Sequence, residues 1–474
     1  MRTWHWLALA VVILIAAGVT LVAVPRAPEW TTASPEALAE YEAGQAALRK
    51  YYVDEAREHF QKAYELDPNF LVAKLAVGHT LRDEDPEQAD RLIRELMTAD
   101  LGELTAREKF FIEYWRAARN DRPNEAARLL ERCVEEHPED PYILERKAGV
   151  EWAQGNLDEA ERLYQRLKGI DPNWVVAHNA LGYIKMMRER FTEAEEHFKS
   201  YRFIAPDQAN PHDSLGELYI TIGRYPDAEA TLERAIAIKS DFWVSYFHLA
   251  LLEAAEHDFE AVNRTIERAR AEGLSEEHAF EMSCSARFEE LADRAAWREI
   301  LDEGTDTCVE RYTLGRPALI THRAACRTGD WEVAQKLEDG AAGRLLEIER
   351  SGNQEAIRVA QAATLHMQAV RLATQGEFGA AIERFRAVDD RLSFMFVEQG
   401  MYKLFNQLLE AEALLAAGDD VEAHKVIAHV RSINPQMVKE FEESGFRNLG
   451  LDRSARSLSS AHRETEPDAS TTAM

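Results

Sequence analysis

His424 and His429 are the first residues to weigh for chemistry, since imidazoles ligate metals and move protons near neutral pH. They stand five residues apart, whereas two histidines that share a metal from one helix face stand four apart, as in H-E-x-x-H. Their spacing predicts surface or capping histidines. The acidic run Glu193, Glu195 and Glu196 reads as a solvated helix face. Cys133, Cys284, Cys308 and Cys326 include no C-x-x-C pair, which speaks against a zinc ribbon or a dithiol redox motif. Four cysteines in so long a chain are no disulfide framework. A single bridge, Cys308–Cys326 or Cys284–Cys308, is open if the body lies outside the cytoplasm. No phosphate-binding loop, nucleophile elbow or dinucleotide fingerprint occurs. Trp297 and Trp331 suit a core better than a site. The sequence therefore predicts no enzyme, no cofactor and no metal.

Charge narrows the partners. Lys and Arg number 56 against 84 Asp and Glu, a net charge of −28 over 474 residues. Phosphate backbones are bound mainly by cations, so nucleic acid is excluded as an expected partner. Hydrophobic residues make up 46%, enough apolar surface for an ordered chain.

The amino terminus leads to a different expectation. Trp6–Val24 is apolar apart from Gly18 and Thr20, with Arg2 before it and Pro25-Arg26 after. Its length is near the roughly 20 residues that a membrane-crossing helix needs. A cleaved signal peptide is the rival, but Pro25 makes a poor cleavage site. The expectation is one transmembrane anchor over 1–27 and a linker over 28–36. The slight charge bias puts the body outside the cytoplasm, with a cytoplasmic body as the alternative.

What would position any site is a repeat. Ala126, Ala160, Ala194 and Ala228 recur every 34 residues, and Val262 continues the column. Leu130, Tyr164, Phe198, Leu232 and Ile266 form a second column; Pro138, Pro172 and Pro206 form a third. A helix–turn–helix unit explains all three. The alanine is small where two helices cross, the large residue four positions on shares its face, and the proline ends the unit. Gly155 and Gly223 fall where a left-handed cap would close the first helix.

These residues resemble the tetratricopeptide repeat, most clearly in Leu181-Gly182, Ala194, Phe198 and Pro206, and in Leu215-Gly216 with Ala228. Gly44, Ala56, Phe60, Ala63 and Pro68 fit an earlier unit. The resemblance implies an all-α fold, a right-handed α-α superhelix, with a repeat solenoid over 37–272. An irregular helical bend is expected over 273–312. Divergent units follow over 313–450, where Ala334, Ala381 and Ala423 are 47 and 42 apart. A disordered tail is expected over 451–474.

In this family the first helix of each unit lines an inner groove. Projected here, that face carries Phe111 and Trp115, then Tyr142, Glu145 and Trp152. Asn179, Tyr183 and Met186 follow, then Asp213 and Glu217, and then Phe247. Two readings are open: a peptide-binding channel with apolar anchors and an acidic stripe, or packing against neighbouring repeats. The expected function is a membrane-anchored scaffold that binds a protein partner in this groove. The alternative is a regulatory or sensor subunit that docks a separate enzyme through its C-terminal repeats. Self-association through end repeats is a further expectation.

Overall fold

The structure is a computed structural model that describes residues 30–82, 85–119, 123–303, 307–443 and 448–451. Every regular element among the described residues is a helix. The expected anchor over 1–27 and most of the expected tail lie outside these residues. No helix among the described residues is long and apolar enough to cross a membrane. The expected single-pass location, with its extracytoplasmic body, is corrected on that ground.

The chain divides into two compact units, Met1–Lys147 and Ala148–Met474. The first holds three helix pairs: α1 (Pro35–Arg49) with α2 (Val53–Leu66), α3 (Leu71–Thr80) with α4 (Pro86–Thr98), and α5 (Ala106–Arg119) with α6 (Pro123–Glu136). Sequence sets the starts. Ser34 accepts a hydrogen bond from the Ala37 amide before Pro35, and Asp85 accepts one from Gln88 before Pro86. Proline at a first helical position loses only an amide that has no helical partner.

Helix α7 (Pro141–Ala153) runs through the division. The second unit continues with α8 (Leu157–Ile170), α9 (Val175–Met187), α10 (Phe191–Ile204), α11 (Asn210–Thr221), α12 (Tyr225–Ile238), α13 (Trp243–Ala255) and α14 (Phe259–Ala271). The region expected as an irregular helical bend holds α15 (Glu276–Asp293), α16 (Trp297–Glu303) and α17 (Thr307–Arg311). A disulfide joins Cys284 on α15 to Cys308 on α17, while Cys133 and Cys326 are free and buried. Helices of unequal length follow: α18 (Arg316–Thr328), α19 (Trp331–Ser351), α20 (Gln354–Thr374), α21 (Phe378–Asp389), α22 (Val397–Ala417), α23 (Asp420–Ile433) and α24 (Pro435–Glu443).

The alanine and large-apolar columns are core. Ala160, Ala194 and Ala228 are fully buried, as are Phe198 and Leu232. The turns between paired helices repeat as well. Gly155, Glu189, Gly223 and His257, spaced by 34, all hold positive φ.

The C-terminal helices return to the earlier repeats of the same unit. One apolar core joins Phe198, Leu218 and Leu252 to Phe394, Leu404 and Phe441. The rings of Phe191 and Phe394 meet edge to face at 5.3 Å. The row of turns is met step by step. His429 lies 3.7 Å from Glu189, Asn434 donates to the Ile220 carbonyl at 3.2 Å beside Gly223, and Glu440 stands 4.0 Å from His257.

Candidate functional site

In the second unit the first helices of three successive repeats converge on one buried cluster. Asp213 and Glu217 sit one turn apart on α11, so both carboxylates share its face. His248 comes from α13, and its Nδ1 stands 3.0 Å from Asp213 Oδ1. Its Nε2 lies 3.9 Å from Glu217 and 4.0 Å from Glu398, at the start of α22. Ser245 donates to Asp213 at 2.7 Å, and the Tyr183 hydroxyl donates to Glu217. Ser214 donates to Asn179 at 3.1 Å. Asp213, Glu217 and His248 are each no more than 5% exposed.

Burial shapes the charges. It opposes charge on His248, but Asp213 and Glu217 outweigh it and raise the imidazolium to about 10. Burial pushes the Glu217 carboxyl up to about 7, against the pull of His248. Burial, and then Glu217, holds the Tyr183 hydroxyl in its protonated, donating form. Asp213, Glu217 and His248 place one potential ligand atom each within 4.8 Å of one another. The imidazole nitrogen facing Asp213 is already committed to a hydrogen bond, and each carboxylate accepts a hydroxyl. The cluster is a hydrogen-bonded charge network that ties three repeats together.

The first unit presents a different arrangement. Residues Trp30–Thr32 contact α1, the connection between α2 and α3, and the first turn of α5. The Trp30 ring meets Tyr41 at 5.0 Å and Phe70 at 6.3 Å, and Arg107 lies 5.5 Å over it. The Thr31 amide donates to Glu108 at 3.0 Å and its hydroxyl at 2.9 Å. Thr32 donates to Asp67 at 2.6 Å. Arg107 also covers Tyr142 at 5.3 Å and pairs with Asp140.

The residues projected onto the groove separate accordingly. In the first unit Phe111, Tyr142 and Glu145 are half-buried, and Trp115 is buried beside the His79 ring. In the second, Asn179, Met186, Asp213 and Glu217 are buried, and Tyr183 packs against the core. Trp152 is half-buried against Tyr164, and Phe247 is half-buried beside His248.

Residues 117–182 and 212–242 match models described as tetratricopeptide repeat. The chain carries tetratricopeptide repeats. Among solved structures, a tetratricopeptide repeat protein from Parabacteroides merdae ATCC 43184 is 16% identical, covering 52% of this chain and 98% of its own, with a TM-score of 0.35. Pseudomonas aeruginosa pilF is 14% identical over 52% of this chain and 96% of its own, with a TM-score of 0.28. PilW, a type IV pilus biogenesis factor, is 12% identical over 52% and 97%, with a TM-score of 0.31. No curated protein matches the sequence.

Tetratricopeptide repeats imply a protein–protein interaction scaffold, and the repeat register explains which cluster members sequence reading found. Asn179 and Asp213 occupy equivalent positions, as do Tyr183 and Glu217, one repeat apart. His248 and Ser245 were missed. His248 was findable: it is the only cationic type on α13 and stands one repeat after Ser214. Nothing local marked Glu398, which arrives from a distant helix.

Proposed function

We propose that the chain is a protein-interaction scaffold whose partner seat is the inner face of the first unit. The docking of Trp30–Thr32 carries this reading. A short segment is held there by α1, the connection before α3 and the first turn of α5, with an aromatic anchor among aromatic rings and a carboxylate accepting a backbone N–H. That is the chemistry by which a repeat groove holds an extended peptide. In the second unit α22–α24 cover the corresponding helices. Phe111 and Tyr142 are the accessible aromatics that continue the first unit's face, and Arg146 is exposed above Tyr114 at 5.9 Å.

Selection of peptides from a random display library on the full chain tests the seat. Retained peptides are expected to be lost by Phe111→Ala with Tyr142→Ala, while the helical circular dichroism is unchanged. Retention of the same peptides by both proteins would exclude it. The alternative, a regulatory subunit docking an enzyme through C-terminal repeats, has less support. The inner helices of those repeats, Val397–Ala417 above all, are committed to packing within the second unit.

A further inference from the structure

A second feature of the larger unit stands apart from both the charge cluster and the groove. Helices α13, α15, α18, α22 and α24 line a partly open cavity of about 370 Å³. Its apolar wall includes Leu251, Phe259, Leu319, Met401, Phe405 and Phe441. That size and composition are those of a pocket for a small organic molecule.

The polar groups on its wall decide what kind. Most charges there are already matched. Arg316 pairs with Glu289, and His257 stands 2.9 Å from Asp293 and 4.0 Å from Glu440. His366 contacts Asn406 at 3.1 Å, and burial drives it down to about 3, so it is neutral. Arg323 is different. It is 8% exposed, its Nε–H has no acceptor, and among the described residues no carboxylate pairs with it. Its guanidinium lies over the rings of Trp297 and Phe405 at 5.5 and 5.2 Å. Those faces hold a cation but give no hydrogen-bond acceptor to an N–H in the ring plane. Burial and the nearby Arg327 lower it only to about 10, so it stays charged at neutral pH. The Tyr402 hydroxyl on the same wall is also buried without a hydrogen-bond partner.

Three side chains lining the chamber, Arg323, Tyr402 and Tyr225, carry a buried donor without an acceptor, and the cationic one, Arg323 with Tyr402 beside it, calls for an anionic acceptor on an apolar body. Glu412, the carboxylate that acts most on Arg323, is occupied: it accepts the Asn448 and Leu449 amides at 2.9 and 2.7 Å. We propose that this cavity binds a small apolar monocarboxylate, held at its head by Arg323 and Tyr402 and at its body by the wall of α13, α18, α22 and α24.

Calorimetric titration of the full chain with octanoate and 3-phenylpropionate, beside the amide of each, tests the assignment. At least one carboxylate is expected to bind at one site per chain, with its amide about tenfold weaker. Arg323→Met should weaken the carboxylate about tenfold and leave the amide unchanged. The helical signal should persist, since a buried unpaired charge is replaced by an apolar chain of similar length. Tyr402→Phe, which removes one oxygen, should weaken the carboxylate several-fold. The assignment is overturned if neither carboxylate saturates, if acid and amide bind alike, or if both variants bind as the parent does.

Discussion

Gly182 of α9 and the ring of Phe198 on α10 meet so closely that a Cβ at 182 would lie 2.3 Å from Cε1. Phe198 has no solvent exposure. The same contact recurs one repeat later, where a Cβ at Gly216 would stand 2.6 Å from Leu232. Gly182→Ala is expected to force the helices of its repeat apart, at about 1–3 kcal/mol. Urea unfolding at equilibrium measures it; an unchanged midpoint would mean the ring can yield.

The buried cluster gives a pH signature. The folded pKa of His248 lies above the unfolded value of about 6.5, so its stabilisation is complete below that and is lost as pH rises toward 10. Glu217 is also raised, so the folded state holds its proton longer, and stability falls again between about 4.5 and 7. Both contributions make the protein less stable as pH rises. His248→Gln should cost about 3–5 kcal/mol at pH 7 by leaving the buried Asp213 carboxylate without its cation. Thermal melts across pH should show the gap between parent and variant narrowing toward pH 10. A gap independent of pH would show that His248 is not charged in the fold.

Ala295 sits in the turn between α15 and α16 with φ of +53°. An L side chain pays about 1–2 kcal/mol there, which glycine avoids at some entropic cost. Ala295→Gly is expected to stabilise the second unit by up to about 1 kcal/mol. A lowered melting temperature would contradict this.

The Cys284–Cys308 bridge closes a short stretch of chain, with a sequence separation of 24. Replacing both cysteines with serine should cost about 2–4 kcal/mol, largely through a freer unfolded state. Reductant should shift the parent's unfolding midpoint and leave the double variant's unchanged.

Asn434 holds the returning helices to α11, donating to the Ile220 carbonyl and accepting from the Met437 amide at 3.0 Å. Asn434→Ala removes one of two donors to the Ile220 carbonyl, which keeps the Gly223 amide, and uncaps α24. A loss of about 1–3 kcal/mol is expected. Hydrogen exchange should rise first in α23 and α24; exchange spread evenly over the unit would argue against a local clasp.

The repeat architecture was legible because packing inside one unit is local. Ala194 and Phe198 needed only their own helix and its partner to be read as core. The acidic stripe of Asp213 and Glu217 was legible for the same reason, through the 34-residue step. What covers that stripe was not. Glu398 and Phe394 meet α13 and α10 across long stretches of sequence, and no periodicity within a repeat encodes such a meeting. Divergent spacing after residue 313 also hid the return, since helices of unequal length shift the register that the earlier repeats keep. The position equivalent to Gly155 and Gly223 holds Glu189 and His257, so left-handed turns went unread where glycine was missing.

The clasp between Asn434 and Ile220 spans 214 positions, and that separation has a temporal meaning. During synthesis α9–α13 leave the ribosome well before α22–α24 exist. At about 5–20 residues per second the delay is roughly 10–40 s. For that interval the inner helices of the nascent repeats expose Met186, Leu218 and the acidic stripe without their cover. Assembly of this unit therefore ends with a long-range closure, the slow kind of contact, and a chaperone that shields the open stripe would act in that window and be displaced when the last helices arrive.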